Sequence, residues 1–198
     1  QQNGQVIGGF MIGNAYREGL KTVGEQLGLK HKLSILSGDN DAEEKTLIDY
    51  MPEGTMMDFN QKPQDKLNKI LQLQNNGAKV LMLGDGLNDA GALKQSDVGI
   101  VLADDVNTFT PASDGILDAR LFDQLPNLLH FTTISEKIVY ASFVISFAYN
   151  LIGLSFAIAG YLTPVFAAIL MPLSSITVVI FTTSAVKLMA KKMFKLTT

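Results

Sequence analysis

The chain has 198 residues, enough for one domain or two, and its net charge of −3 hides a division. Residues 1–137 hold all nineteen acids and twelve of the sixteen bases, net −7, whereas residues 138–198 hold four lysines and no acid, net +4, so the two parts belong in different surroundings. Cysteine is absent, which excludes a disulfide or a thiolate metal site within the chain.

Residues 4–12 read as a short strand with a bulge at its glycines. Residues 15–27 form a predicted helix with Leu20, Val23, Gly24 and Leu27 on one face, stopped by Gly28. A buried strand over 32–36 ends in Ser37-Gly38-Asp39-Asn40, and Asp41 is placed to cap a helix reaching Tyr50, with Glu43 and Glu44 in its first turn. A strand over 55–59 follows, then a helix opened by Pro63 and closed near Gly77, with Leu67, Ile70 and Leu71 on one face. The apolar run 79–83 is a strand, 90–95 a helix, 98–102 a strand and 115–117 a shorter one. Residues 104–114 are polar and turn-rich, a surface loop. Strands alternating with helices predict an α/β fold, a doubly wound, mostly parallel sheet, over residues 1–120.

A helix is expected to resume near Leu121, with an interruption at Pro126, so that 121–137 connects the α/β part to a second, apolar part. Residues 138–186 contain no charged residue and no histidine. Gly160-Tyr161-Leu162-Thr163-Pro164 divides this run into two stretches of 22 residues, 138–159 and 165–186. A membrane-spanning helix needs about 20 residues, so 138–198 reads as a transmembrane hairpin with a short basic tail; two buried helices of a soluble protein are the competing explanation. Lys137 flanks one end and Lys187, Lys191, Lys192 and Lys195 the other, which places both ends, and the acidic α/β part, on the cytoplasmic side.

The chemistry concentrates around Gly84-Asp85-Gly86-Leu87-Asn88-Asp89. In an open α/β sheet, ligands bind beyond the carboxyl ends of the strands. There Gly84 and Gly86 let backbone amides approach an oxyanion, and the carboxylates of Asp85 and Asp89 are hard oxygen donors suited to Mg²⁺. The alternative for an isolated Gly-Asp-Gly is an acidic turn with no ligand. Ser37-Gly38-Asp39, after the 32–36 strand, can offer a hydroxyl and amides to a phosphate, or can simply be a turn and helix cap. Lys66, in Pro63-Gln64-Asp65-Lys66, is on its own no more than a helical lysine.

Taken together these strings resemble P-type ATPases. Gly84-Asp85-Gly86-Leu87-Asn88-Asp89 with Ala92-Leu93 and Ser96-Asp97-Val98-Gly99-Ile100 is similar to that family's hinge motif, and Pro63-x-x-Lys66 to its Pro-x-x-Lys. The resemblance implies a haloacid-dehalogenase-like phosphorylation domain in which Lys66 neutralises the phosphoryl group, Asp85 holds Mg²⁺ supported by Asp89, and Asn88 lies near the phosphate with Ser37, Gly38 and Asp39. Gly91 departs from the proline of many ion pumps. The family's Asp-Lys-Thr-Gly-Thr nucleophile, its nucleotide-binding domain and its Thr-Gly-Glu actuator do not occur in these residues. The chain also begins with Gln1 and not Met. The expectation is therefore a C-terminal portion, inactive alone, of a protein whose ATP is bound mainly by another domain.

In the predicted membrane helices, Tyr149-Asn150 and Met171-x-x-Ser174-Ser175 resemble copper(I)-transporting heavy-metal P-type ATPases. Asn150 and Ser175 lie ~15 Å from the outer turn, near the bilayer centre. Met171 shares a helix face with Ser175, and its thioether is a soft ligand suited to Cu(I). Ordinary packing by small and polar residues is the competing account. The expected transported-ion ligands are thus Tyr149, Asn150, Met171 and Ser175. The expected partners are copper ion, membrane lipid, the remaining domains of the same ATPase and a copper chaperone, with no nucleic acid. The expected location is the bacterial inner membrane. Two rivals are a membrane-anchored haloacid-dehalogenase-like phosphatase acting alone and a non-catalytic fragment of the pump.

Overall fold

The computed structural model describes residues 16–104, 113–161 and 163–194. The expected strand at 4–12 and most of the expected loop at 104–114 lie outside the described residues. The chain divides into two compact units, Gln1–Asp123 and Gln124–Thr198.

In the first unit α1 (Leu20–Gly28) is followed by β1 (Ser34–Leu36), a 3-10 turn at Asp41–Glu43, α2 (Glu44–Ile48) and β2 (Met56–Asp58). Then come α3 (Pro63–Asn75), β3 (Leu81–Gly84), α4 (Ala90–Gln95), β4 (Val98–Ala103) and β5 (Gly115–Asp118). Among the described residues every strand pair is parallel. β1 pairs with β2, and β3, β4 and β5 form a second sheet with Leu83 opposite Ile100 and Val101 opposite Ile116. The core is built where α3 and α4 cover the second sheet: Ile70, Leu93, Met82, Val101 and Ala103 are buried together, with Leu36, Leu67 and Val80 packed against them. Gly99 makes this close approach possible, because a Cβ there would meet the Leu93 carbonyl oxygen at 2.5 Å.

Several local expectations change for identifiable reasons. α1 begins five residues late, because Gly19 precedes it with φ +82°, a left-handed conformation outside the helix. Gly28 is the last residue of α1 and does not stop it from outside; its lack of a Cβ admits Pro52, whose Cγ would lie 2.7 Å from one. The cap of the segment after β1 is Asn40, whose side chain accepts from the Ala42 N–H at 3.1 Å, and not Asp41. The helix expected there is split into the 3-10 turn and the short α2.

In the second unit α5 (Leu125–Ile158) and α6 (Pro164–Phe194) are antiparallel neighbours. Pro126 does not interrupt α5. It lies in the first turn, where its missing N–H has no helical partner to lose. The turn between the helices uses Gly160 at φ +76°, and the Thr163 hydroxyl caps α6 by accepting from the Phe166 N–H at 3.2 Å. The pair is joined by Phe156 against Phe166, centroids 5.0 Å apart, by Leu170 over Gly153, and by Phe131 against Phe194 at 5.7 Å. Most apolar side chains between these contacts remain exposed, Phe143, Phe147, Val179 and Ile180 among them.

Candidate phosphoryl site and membrane helices

A cleft of about 540 Å³ opens at the carboxyl ends of β1 and β3. Its walls include Ser37, Gly38, Asp39, Lys66, Asp85, Asn88 and Asp89, so one cavity collects seven of the sequence-selected residues; Gly84 and Gly86 flank Asp85 in the chain. Each wall is set by a local hydrogen-bond pattern.

The first wall is the loop after β1. The Ser37 N–H donates to the Asp58 carbonyl, while the Gln61 and Asn60 amides donate to the carbonyls of Ser37 and Asp39 at 2.8 Å each, so the loop is strapped to the segment after β2. Ser37 Oγ accepts from the Asp39 N–H at 3.1 Å. Its own O–H proton therefore remains available to an acceptor in the cleft. The second wall follows β3. Gly86 adopts φ +84°, and Asp85 Oδ1 accepts from the Leu87 N–H at 3.1 Å, which turns the chain and leaves the Asp85 carboxylate exposed. Gly84 serves a purpose the sequence did not disclose. A Cβ there would lie 2.7 Å from Asp89 Oδ2 and 3.0 Å from Asp89 Cβ, so the bare glycine is the space in which the Asp89 side chain lies.

The third wall is the first turn of α3. Pro63 opens the helix and Asp65 Oδ2 accepts from the Lys62 N–H at 3.0 Å, fixing where that turn begins. One turn in, Lys66 Nζ donates to Asp89 Oδ1 at 2.7 Å, and both side chains are only 12% exposed. Asp89 is thus held first by Lys66, while Asp85 is the open carboxylate. Behind this pair Lys69 Nζ lies 2.9 Å from Asp58 Oδ2, in contact but without the alignment of a hydrogen bond, and draws α3 onto the end of β2.

Hard oxygen donors with a neighbouring ammonium suit Mg²⁺ and a phosphoryl group. Mg²⁺ usually takes one or two protein carboxylates and completes its shell with water and phosphate oxygens. The donor set here fits that habit, and among the described residues no group of three His, Cys, Asp or Glu offers a closed metal cage.

Tyr16 and Gln61 also line the cleft and were not selected from the sequence. The Tyr16 hydroxyl donates to Glu43 Oε2 at 2.8 Å and its ring lies 5.2 Å from that of Tyr50. Burial, and then the bond to Glu43, push the Tyr16 phenol up to about 12, so it stays a donor at neutral pH. The available signal was weak: an aromatic residue at the start of the helix predicted over 15–27.

In the second unit the Tyr149 hydroxyl lies 3.1 Å from Thr177 Oγ1, which itself donates to the Leu173 carbonyl at 2.8 Å. Thr177 was not selected from the sequence. Met171 is 73% exposed on α6, and Asn150 and Ser175 are exposed as well. The helix pair therefore brings Tyr149 to Thr177 and leaves the other three on surface that these two helices do not cover.

Residues 7–97 match the family described as haloacid dehalogenase-like hydrolase. Along most of its length the chain is similar to copper ATPases. It is 29% identical over 180 residues to a probable copper-exporting P-type ATPase V of Mycobacterium tuberculosis, covering 90% of this chain and 23% of the relative. It is 30% identical over 191 residues to a copper-transporting ATPase of Helicobacter pylori, covering 91% and 25%. Against a probable copper-importing P-type ATPase A of Enterococcus hirae it is 30% identical over 178 residues, covering 89% and 24%. The chain thus spans about a quarter of the length of these relatives. Among solved structures, a zinc-transporting PIB-type ATPase in its E2.Pi state shares the fold, with a TM-score of 0.72 at 23% identity over 89% of this chain and 28% of that one. Among the described residues, two helices are long and apolar enough to cross a membrane, as in an integral membrane protein. Residues 7–97 thus match a haloacid dehalogenase-like hydrolase family, two helices able to cross a membrane follow, and along most of its length the chain is similar to copper-transporting P-type ATPases.

Proposed function

We propose that this chain is part of an ATP-driven copper(I)-translocating P-type ATPase. In it, residues 1–120 hold the phosphoryl group and Mg²⁺, 121–137 connect, and 138–198 form part of the membrane path. The observation that carries the reading is the convergence of Ser37, Lys66, Asp85, Asn88 and Asp89 on one cleft at the carboxyl ends of parallel strands. The relatives' printed activities and the uncharged interior of both helices support copper as the cargo, since a divalent ion of harder character would call for a carboxylate there.

Each residue has a role its surroundings permit. Ser37 offers its hydroxyl proton to a phosphoryl oxygen, and Lys66 offsets the negative charge that develops there. Asp89 keeps the Lys66 ammonium directed into the cleft. Asp85 is the chief Mg²⁺ ligand, and the ion would neutralise charge on the phosphoryl oxygens. Asn88, exposed beside Asp85, orients a phosphoryl oxygen. The acceptor aspartate, the nucleotide-binding part and the Cys-Pro-Cys helix that completes the copper site belong to other segments of the same ATPase. Within the membrane Tyr149, Asn150, Met171 and Ser175 contribute to the ion path. The decisive experiment is phosphorylation by ATP of the full-length ATPase carrying Asp85→Asn. The phosphoenzyme should be lost, and normal levels would overturn the assignment of Asp85.

A further inference from the structure

We propose that the cytoplasmic end of the helix pair binds the headgroups of anionic phospholipids through Lys137, Lys187, Lys191 and Lys192. The proposal rests on α5 and α6 being membrane helices.

Two contacts far apart fix their antiparallel register, Tyr149 with Thr177 and Phe131 with Phe194. Between them the register carries Lys137 of α5 and Lys187 of α6 to the same level, so the uncharged stretch ends at one depth on both helices. From the start of α6 at Pro164 to Lys187 the helix rises ~35 Å, a little more than the ~30 Å hydrocarbon core. The ammonium groups of Lys137 and Lys187 therefore stand at headgroup depth, and Lys191 and Lys192 lie one turn beyond.

All four side chains are exposed, and none forms an ion pair with an acid among the described residues. Glu136 is the neighbouring acid on α5, and 138–198 contain none, so the collar keeps a net positive charge. Lys187 and Lys191 are four residues apart on one helix face, a like-charge spacing that is unfavourable without counter-charge. The α6 C-terminal dipole accounts for cations in its last turn, Lys191 and Lys192. It does not account for Lys187, one turn before them, or for Lys137 within α5. Phosphodiesters of anionic lipids supply counter-charge at the shared depth, and long lysine stems can follow the apolar surface to reach them.

The test uses the full chain reconstituted in nanodiscs of equal phosphatidylglycerol and phosphatidylcholine, with co-purifying lipid counted by native mass spectrometry. Phosphatidylglycerol should be retained in preference to phosphatidylcholine. The preference should fall about ten-fold or more in the triple variant Lys187→Gln, Lys191→Gln, Lys192→Gln, and persist when the same positions carry arginine. Millimolar inorganic phosphate should not displace the lipid. Equal retention of both lipids, an undiminished preference in the glutamine variant, or displacement by free phosphate would each overturn the proposal. Alkaline carbonate extraction separates the two levels of failure: release of the native chain would refute the membrane reading itself, whereas a chain that stays embedded without lipid preference refutes only the collar.

Discussion

Replacing Lys66 by methionine tests how the candidate site is held. The Lys66 and Asp89 charges lie 2.7 Å apart with each side chain 12% exposed. At an effective dielectric of about 20 their attraction is ~6 kcal/mol, and this is opposed by a desolvation cost of several kcal/mol for each ion. The pair therefore contributes little net stability, but removing one member leaves the other charge enclosed, a loss of roughly 3–5 kcal/mol. Asp89 cannot readily turn away to water. Its Oδ2 occupies the space left by Gly84, where a Cβ would stand only 2.7 Å off. Lys66→Met should thus cost ~3–5 kcal/mol locally, and adding Asp89→Asn should restore ~1–3 kcal/mol of it, because the stranded charge is gone. The chain has no tryptophan to report unfolding, so the measurement is hydrogen exchange of the segment 81–95 in the detergent-solubilised full chain, which gives a local opening free energy. Strictly additive effects, or a single-variant loss under ~1 kcal/mol, would refute a buried interdependent pair.

Gly84→Ala should lower the stability of the same segment by ~1–3 kcal/mol through overpacking against Asp89, read as a reduced urea midpoint by circular dichroism. Asp97 is held well below the usual carboxylate range, first by the Val80 N–H and then by Lys79 and Gln74. Its folded value lies below the unfolded one, so its stabilisation is full above about pH 4 and is lost as pH falls through the lower folded value. Asp97→Asn should therefore lower the melting temperature by a few degrees at pH 7 and have a shrinking effect toward pH 2, in melts followed by circular dichroism. In the full-length ATPase, Met171→Ile should weaken membrane Cu(I) binding several-fold in a chelator competition, while phosphorylation by inorganic phosphate stays near normal. Unchanged Cu(I) affinity would assign Met171 to packing.

What could be read from the sequence was whatever a single segment determines. The apolar run before Gly84, the proline opening α3 and the long uncharged stretch each act through neighbours a few residues away, and β3, α3 and the two membrane helices fall close to where their patterns put them. The same holds for the cleft, since parallel strands bring their carboxyl ends to one side. The misreadings and omissions were cases in which a residue answers to something distant. Gly28 looked like a helix stop, yet its small size answers to Pro52. Gly84 was read as an opening for an oxyanion, and that its missing Cβ also answers to Asp89 was not legible. Asp89 was read as supporting Asp85 at Mg²⁺, and its bond to Lys66, 23 positions earlier, was not legible. Thr177 was passed over because a threonine in a membrane helix ordinarily bonds back to its own chain, as this one does to Leu173, and its second contact depends on the α5–α6 register. That register was itself unreadable, because an uncharged helix pair offers no charge pattern to align.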